Sequence, residues 1–280
     1  MDSRFVMVNG LKLHYLDYPG EGPTIILTHG LTANAWTLDP LAKLLSPQWH
    51  VIAVDSRGRG LSDKPSTGYT QADIAGDILG LMDHLGLKQS VIGGHSSGGL
   101  LTLFMSATYP ERVIRPIILD AGIMHPKVGE LIGPSVARLG KPWPSWDSYL
   151  EAVKNSPEWI GWWDPAIEDY CRADVQSNTD GTVIRQARPD VVQQVMAGQG
   201  AVDWLDIFSH IQQQSILINA PGGYGPGDTP AIQPRELGQQ TASLIQNCRY
   251  VEVPGNHFTM LYAIGVNAVA KAISDFLNEA

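Results

Sequence analysis

The stretch Gly94-His95-Ser96-Ser97-Gly98 constrains this chain more than any other, because it joins an apolar run, Ser90 to Gly93, directly to a helical pattern, Leu100 to Thr108. With no room for a loop, a strand must turn sharply into a helix. Such a turn crowds together the residues two before and two after its tip, and only small side chains fit there. Gly94 and Gly98 meet that need, which puts Ser96 at the tip and its Oγ beside the free amides of a helix N-terminus. With the frame moved by one residue Ser97 becomes the tip, but His95 then falls where glycine is preferred. The plainer alternative is a glycine-rich turn with a capping serine.

The same alternation of apolar runs and helical segments extends through the chain. Phe5 to Val8 and Leu11 to Asp17 alternate around Asn9-Gly10, the strongest short hairpin signal, so an antiparallel start is expected. Later runs, Thr24 to Thr28, His50 to Asp55, Ser90 to Gly93, Val113 to Asp120, Ser215 to Asn219 and Arg249 to Val253, are short, apolar and separated mainly by helical segments. That is the pattern of a parallel sheet covered on both faces. Ile74, Ile78, Leu81, Met82 and Leu85 recur at helical spacing with Gly86 as the stop, and Pro110 ends the helix after the serine turn at Tyr109.

A chain of 280 residues, 44% of them hydrophobic, suits one large core with an insertion. No repeat or membrane-spanning run interrupts it. Met1 to Phe5 enters a strand pattern almost at once, leaving no space for a signal peptide, so a cytoplasmic location is expected. Cys171 and Cys248 match no metal or redox spacing and read as reduced thiols. A formal charge of −9 weighs against nucleic-acid binding.

Two further motifs give Ser96 its context. Thr24 to Thr28 ends in His29-Gly30-Leu31 ahead of a helix beginning near Asn34, and Val251 to Gly255 leads to Asn256-His257 near the C-terminus. An oxyanion formed on attack by Ser96 needs two backbone donors, here the amides of Ser97 and Leu31. His257 supplies an imidazole in the chain order serine, acid, histidine. His29 and His95 flank turns of the site, but no cluster at metal-ligand spacing accompanies them, and no metal is expected.

With these motifs, the loop Asp55-Ser56-Arg57-Gly58-Arg59-Gly60-Leu61-Ser62-Asp63-Lys64-Pro65 and Tyr109-Pro110-Glu111-Arg112-Val113, the chain resembles the α/β-hydrolase family over almost its whole length. The resemblance implies an α/β fold with an eight-stranded, mostly parallel sheet flanked by helices, and a helical cap inserted after the sixth strand. Residues 1–123 and 200–280 would then form the core and 124–199 the cap. The family places its triad acid after either the sixth or the seventh strand, so Asp120 and Asp228 both qualify. Asp120 is preferred, because it closes its strand directly whereas Asp228 follows a long Gly/Pro loop that holds a carboxylate poorly. The Asp55 to Pro65 loop is read as structural.

Five of the eight tryptophans, Trp143, Trp146, Trp159, Trp162 and Trp163, fall within 124–199. Together with Trp36 they are candidates for contact with an apolar or aromatic substrate, the competing view being that a small cap uses them for its own packing. The expected chemistry is cleavage of a small-molecule ester or lactone through an acyl-enzyme on Ser96, with no cofactor and no nucleic-acid or membrane partner. Amidase, carbon–carbon bond hydrolase, perhydrolase and acyltransferase chemistry stay open. So do a ligand receptor built on the same pocket and the subunit number. Alkyl-enzyme chemistry of the dehalogenase and epoxide hydrolase kind is disfavoured, since it needs a carboxylate nucleophile.

Overall fold

The computed structural model describes residues 1–279. Its first strands, β1 (Asp2–Val8) and β2 (Leu11–Tyr18), pair antiparallel across Asn9 and Gly10, whose φ values of 50° and 76° suit a primed hairpin turn. Strands and helices then alternate: β3 (Gly22–Thr28), α1 (Asp39–Leu45), β4 (Trp49–Asp55), α2 (Gln71–His84), β5 (Ser90–His95), α3 (Ser97–Thr108) and β6 (Val113–Leu119). An insertion follows, with α4 (Val128–Ala137), α5 (Trp146–Lys154), α6 (Pro165–Asp174), the small hairpin β7 (Val175–Ser177) and β8 (Val183–Arg185), and α7 (Pro189–Gly200). The chain returns through α8 (Trp204–His210), β9 (Ser215–Asn219), α9 (Arg235–Ser243), β10 (Cys248–Glu252) and α10 (Ala263–Asn278).

One eight-stranded sheet runs in the order β1-β2-β4-β3-β5-β6-β9-β10, parallel from β4 onward and antiparallel only where β2 meets β1 and β4. The α/β fold expected from the sequence, with helices on both faces, is therefore present. Apolar residues at successive positions in each central strand explain the two-sided cover. Ile26, Ile52 and Ile92 face α2 and α3 through Ile78, Met82 and Leu101. Leu27, Val51 and Ala53 face α1 and α10 on the other side through Leu41, Val269 and Ile273. Each buried Leu, Ile, Val or Met among them contributes about 1.5–3 kcal/mol of transfer free energy, which keeps the carboxyl ends of the strands in fixed relation.

The helix ends follow their local chemistry. Thr70 and Asp73 form a reciprocal capping box at the start of α2, and Gly86 beyond its end has φ of 71°, a conformation a side chain rarely adopts. Among the described residues no helix is long and apolar enough to cross a membrane.

Candidate active site

The serine turn has the backbone its sequence demands. Ser96 has φ of 55° and ψ of −116°, between the last residue of β5 and the first of α3. A non-glycine residue held there costs on the order of 1–3 kcal/mol, which the surrounding structure must offset. The flanking contacts explain the glycines: a Cβ on Gly94 would overlap the Gly98 carbonyl, and one on Gly98 would overlap the Thr28 carbonyl. Ser96 N–H donates to the Leu119 carbonyl (2.9 Å) and its own carbonyl accepts from Leu100 N–H (2.9 Å), fixing the turn to β6 and α3.

One residue beyond that Leu119 carbonyl stands Asp120, fully buried, with φ of 49°. Its N–H donates to the Ile218 carbonyl of β9 (2.8 Å). One carboxylate oxygen, Oδ2, lies 2.6 Å from His257 Nδ1. The other, Oδ1, accepts from Asn219 Nδ2 (2.6 Å) and Ala220 N–H (2.9 Å). Asp228, the alternative acid, is exposed in the loop between β9 and α9. The carboxylate bonded to His257 is therefore that of Asp120, and the rigidity of a strand end against a Gly/Pro loop is the physical reason.

Two more imidazoles support the loops. His95, 1% exposed, approaches the His257 carbonyl with Nε2 (2.6 Å), and because a carbonyl only accepts, that nitrogen carries the proton. Burial, then the neighbouring His257, holds the His95 pKa well below its ordinary value. His29 donates from Nδ1 to the Gly30 carbonyl (2.8 Å) and accepts at Nε2 from Ser56 N–H (3.2 Å). Burial, then the charge of Arg59, pushes its pKa down to about 4. Asp55 accepts from His14 Nδ1 (2.6 Å), Ala35 N–H (2.6 Å) and Leu61 N–H (2.9 Å), so the Asp55 to Pro65 loop is tied down beside the site.

Ser96 and His257 line one cavity of about 210 Å³, and so do Leu31 and Ser97. Gly30 presses against the turn so closely that a Cβ on it would lie 3.5 Å from Ser96 Cβ. Leu31, on the loop after β3, and Ser97, at the first turn of α3, thus line the same cavity as the serine, and the helix dipole of α3 favours negative charge at its N-terminus. Much of the remaining lining is apolar: Leu100, Met124, Val128, Ile132, Val136 and Ile232. Tyr224 and Phe258 add aromatic surface beside His257, their rings 6.2 and 5.9 Å from its ring.

The family model described as the alpha/beta hydrolase fold matches residues 23–158. The fold is that of the α/β hydrolases. The chain is 42% identical over 118 residues to 2-(acetamidomethylene)succinate hydrolase of Mesorhizobium japonicum, a stretch covering 42% of each chain. The chain spans about two fifths of the length of the curated relatives it matches. Among solved structures it resembles E-2-(acetamidomethylene)succinate hydrolase, with a TM-score of 0.86 at 24% identity over 99% of both chains. It also resembles the enol-lactonase of Burkholderia xenovorans LB400, with a TM-score of 0.75 at 22% identity over 99% of this chain and all of the other.

The tryptophans lie elsewhere than the sequence suggests. Among the described residues, none of Trp36, Trp143, Trp146, Trp159, Trp162 and Trp163 lines the cavity of Ser96. Short helices and a two-stranded hairpin have little interior of their own, and these rings supply it. Trp159 is wedged between Phe258 and Tyr262, with ring centroids 5.1 and 5.6 Å away. Trp143 pairs with Val183 of β8 and meets Tyr149 edge-on at 5.8 Å. Trp146 lies under the Arg172 guanidinium (3.5 Å) and Trp163 under the Lys154 ammonium (5.0 Å). Trp162 is half-buried, and Trp36 faces a separate cleft with Asp169 and Arg172.

Sequence reasoning overlooked several side chains at the site. Val128, Ile132 and Val136 recur at a spacing of four along α4, a stripe legible in advance. Gln199 at the end of α7 donates to Ser97 Oγ (2.6 Å) and joins the insertion to the serine turn. Asn219 carried no sequence signal beyond its place at a strand end.

Proposed function

We propose that the protein is a serine hydrolase that cleaves a carboxylic ester or lactone of an apolar small molecule through an acyl-enzyme on Ser96. The observation that carries this reading is the 2.6 Å contact between His257 and Asp120 at the mouth that His257 shares with the strained Ser96. With Asp120 accepting from Nδ1, the Nε2 of His257 is the basic nitrogen and takes the Ser96 proton as Oγ attacks the carbonyl carbon. The tetrahedral oxyanion is held by the Leu31 and Ser97 amides. Its collapse breaks the bond to the leaving oxygen, which takes the proton from His257 and leaves as an alcohol; in a lactone it stays tethered. Water, deprotonated by His257, then attacks the acyl carbon, releasing the acid and returning the proton to Ser96.

The apolar wall formed by α4, Leu100 and Ile232 supports an apolar acyl or alcohol group, and α4 would act as part of a cap over the serine. A lactone is further supported by the name of one structural neighbour, the enol-lactonase. An amide is the second reading, favoured by the 42% identity to a hydrolase whose name specifies 2-(acetamidomethylene)succinate. An apolar wall suits a dicarboxylate poorly, and esters and lactones are therefore placed first.

Turnover of three substrate sets separates these readings: p-nitrophenyl esters of rising chain length, γ- and δ-lactones, and N-acyl enamides, each with the parent enzyme and with Ser96→Ala. Ester or lactone turnover that disappears in the variant is expected. Turnover of the enamides alone would favour the amide reading, and turnover that persists in Ser96→Ala would reject the serine mechanism.

A further inference from the structure

We infer that Asn219 is a positioning residue for the Asp120–His257 pair, an uncharged amide at the end of β9 that commits the neighbouring carboxylate to one orientation. The role rests on the reading of Asp120 as the acid that partners His257. Asn219 is fully buried and its carboxamide is bonded on both sides. Nδ2 donates to Asp120 Oδ1 (2.6 Å) and to the Gln233 carbonyl (2.9 Å), while Oδ1 accepts from the Tyr250 hydroxyl (2.7 Å). Turning the amide over would set its oxygen against two acceptors, so this orientation is the one the surroundings allow.

The consequence falls on Asp120. A carboxylate at a turn can swing about its last bond, and a single contact to an imidazole does not hold it. Here the Asn219 amide and the Ala220 N–H occupy Oδ1 together, leaving Oδ2 to His257 alone. Tyr250 extends the chain of bonds to the sheet edge. Burial, then a hydrogen bond to Glu252, raises its pKa, so the hydroxyl stays protonated and able to donate. Glu252 competes for that proton at the longer distance of 3.0 Å, and is itself paired with Arg235 (2.7 Å). An aspartate at position 219 would put a second carboxylate within 2.6 Å of the first, and two like charges that close cannot both ionise.

The test compares Asn219→Ala, Asn219→Asp, Tyr250→Phe and Asp120→Asn by ester kinetics, and by the downfield proton resonance of His257 Nδ1–H in the resting protein. Asn219→Ala is expected to lower kcat by about 10–100-fold with KM within about threefold, and to move or broaden that resonance. Asn219→Asp should lose at least as much near neutral pH, and Tyr250→Phe about threefold. An Asn219→Ala protein with parental kcat and an unmoved resonance would overturn the role. Should that variant fail to fold, Tyr250→Phe decides: a lower kcat with a shifted resonance supports the role, and parental values for both overturn it. If Asp120→Asn loses activity while the other variants keep it, only the role of Asn219 falls. If Asp120→Asn keeps full activity, the triad reading falls with it.

Discussion

The loops at the carboxyl ends of β5, β6 and β9, with the turn after β10, form one side of the cavity, and the insertion between β6 and β9 forms the other. On the loop side, the polar atoms that set the geometry are bonded to backbone or to each other: Ser96 to Leu119, Asp120 to Asn219, Ala220 and His257, His95 to the His257 carbonyl. On the insertion side, α4 turns an apolar stripe toward the cavity while having no fully buried residue of its own. The difference teaches where chemistry and selectivity are separable. Bonded polar groups on strand ends fix reacting atoms to fractions of an ångström, whereas apolar contact from a thinly packed helix sets size and shape and leaves room for exchange of substrates.

The sharpest way to break this comparison is a pair of isosteric changes. Asp120→Asn should lower ester kcat by about 10⁴-fold, because the imidazole would lose its anionic partner and its fixed tautomer. Asp228→Asn, in the exposed loop, should stay within about twofold of the parent. Equal losses, or a larger one at Asp228, would contradict the geometry at β6.

A second prediction concerns acid stability. His29 is neutral in the folded protein because burial and then Arg59 hold its pKa at about 4, against an ordinary 6.5. The unfolded chain takes up that proton first as pH falls. Stability is therefore whole above pH 6.5 and is lost as pH drops from about 6.5 through about 4, by on the order of 3 kcal/mol from this residue. Denaturant midpoints measured across that range should show the fall, and His29→Asn should flatten it. A profile that is unchanged by the substitution would remove His29 from the loop's pH response.

On the insertion side the effects should be smaller and confined to substrate choice. Ile132→Trp, projecting into the cavity, should raise KM for long-chain esters by about tenfold while leaving acetate esters within about threefold. Trp163→Ala, which removes a ring outside the cavity, should leave both constants within about twofold. Selectivity shifts of similar size in both variants would return the tryptophans to the substrate site.

How much of this was legible in the sequence follows the same division. The strands were readable because each is a short apolar run bounded by turn chemistry, and the serine turn because its glycines answer a backbone requirement that local sequence alone imposes. Asp120 was favoured by one physical consideration, its closeness to a strand end. The tryptophans misled because large rings serve equally well as interior or as pocket wall, and the choice depends on contacts such as Trp159 against Phe258 and Tyr262 that lie far apart in the chain. Asn219 and Gln199 were invisible for a related reason: an amide gains its role from the atoms that surround it, and those come from other strands and from the insertion.

The most direct measurement is the mass of the intact protein quenched within seconds of mixing with a slowly hydrolysed ester, followed by peptide mapping. The expected result is a transient gain equal to one acyl group, located on Ser96 and missing from Ser96→Ala. Turnover with no adduct at any time in the parent, together with unchanged turnover in Ser96→Ala, would contradict a covalent mechanism on this serine.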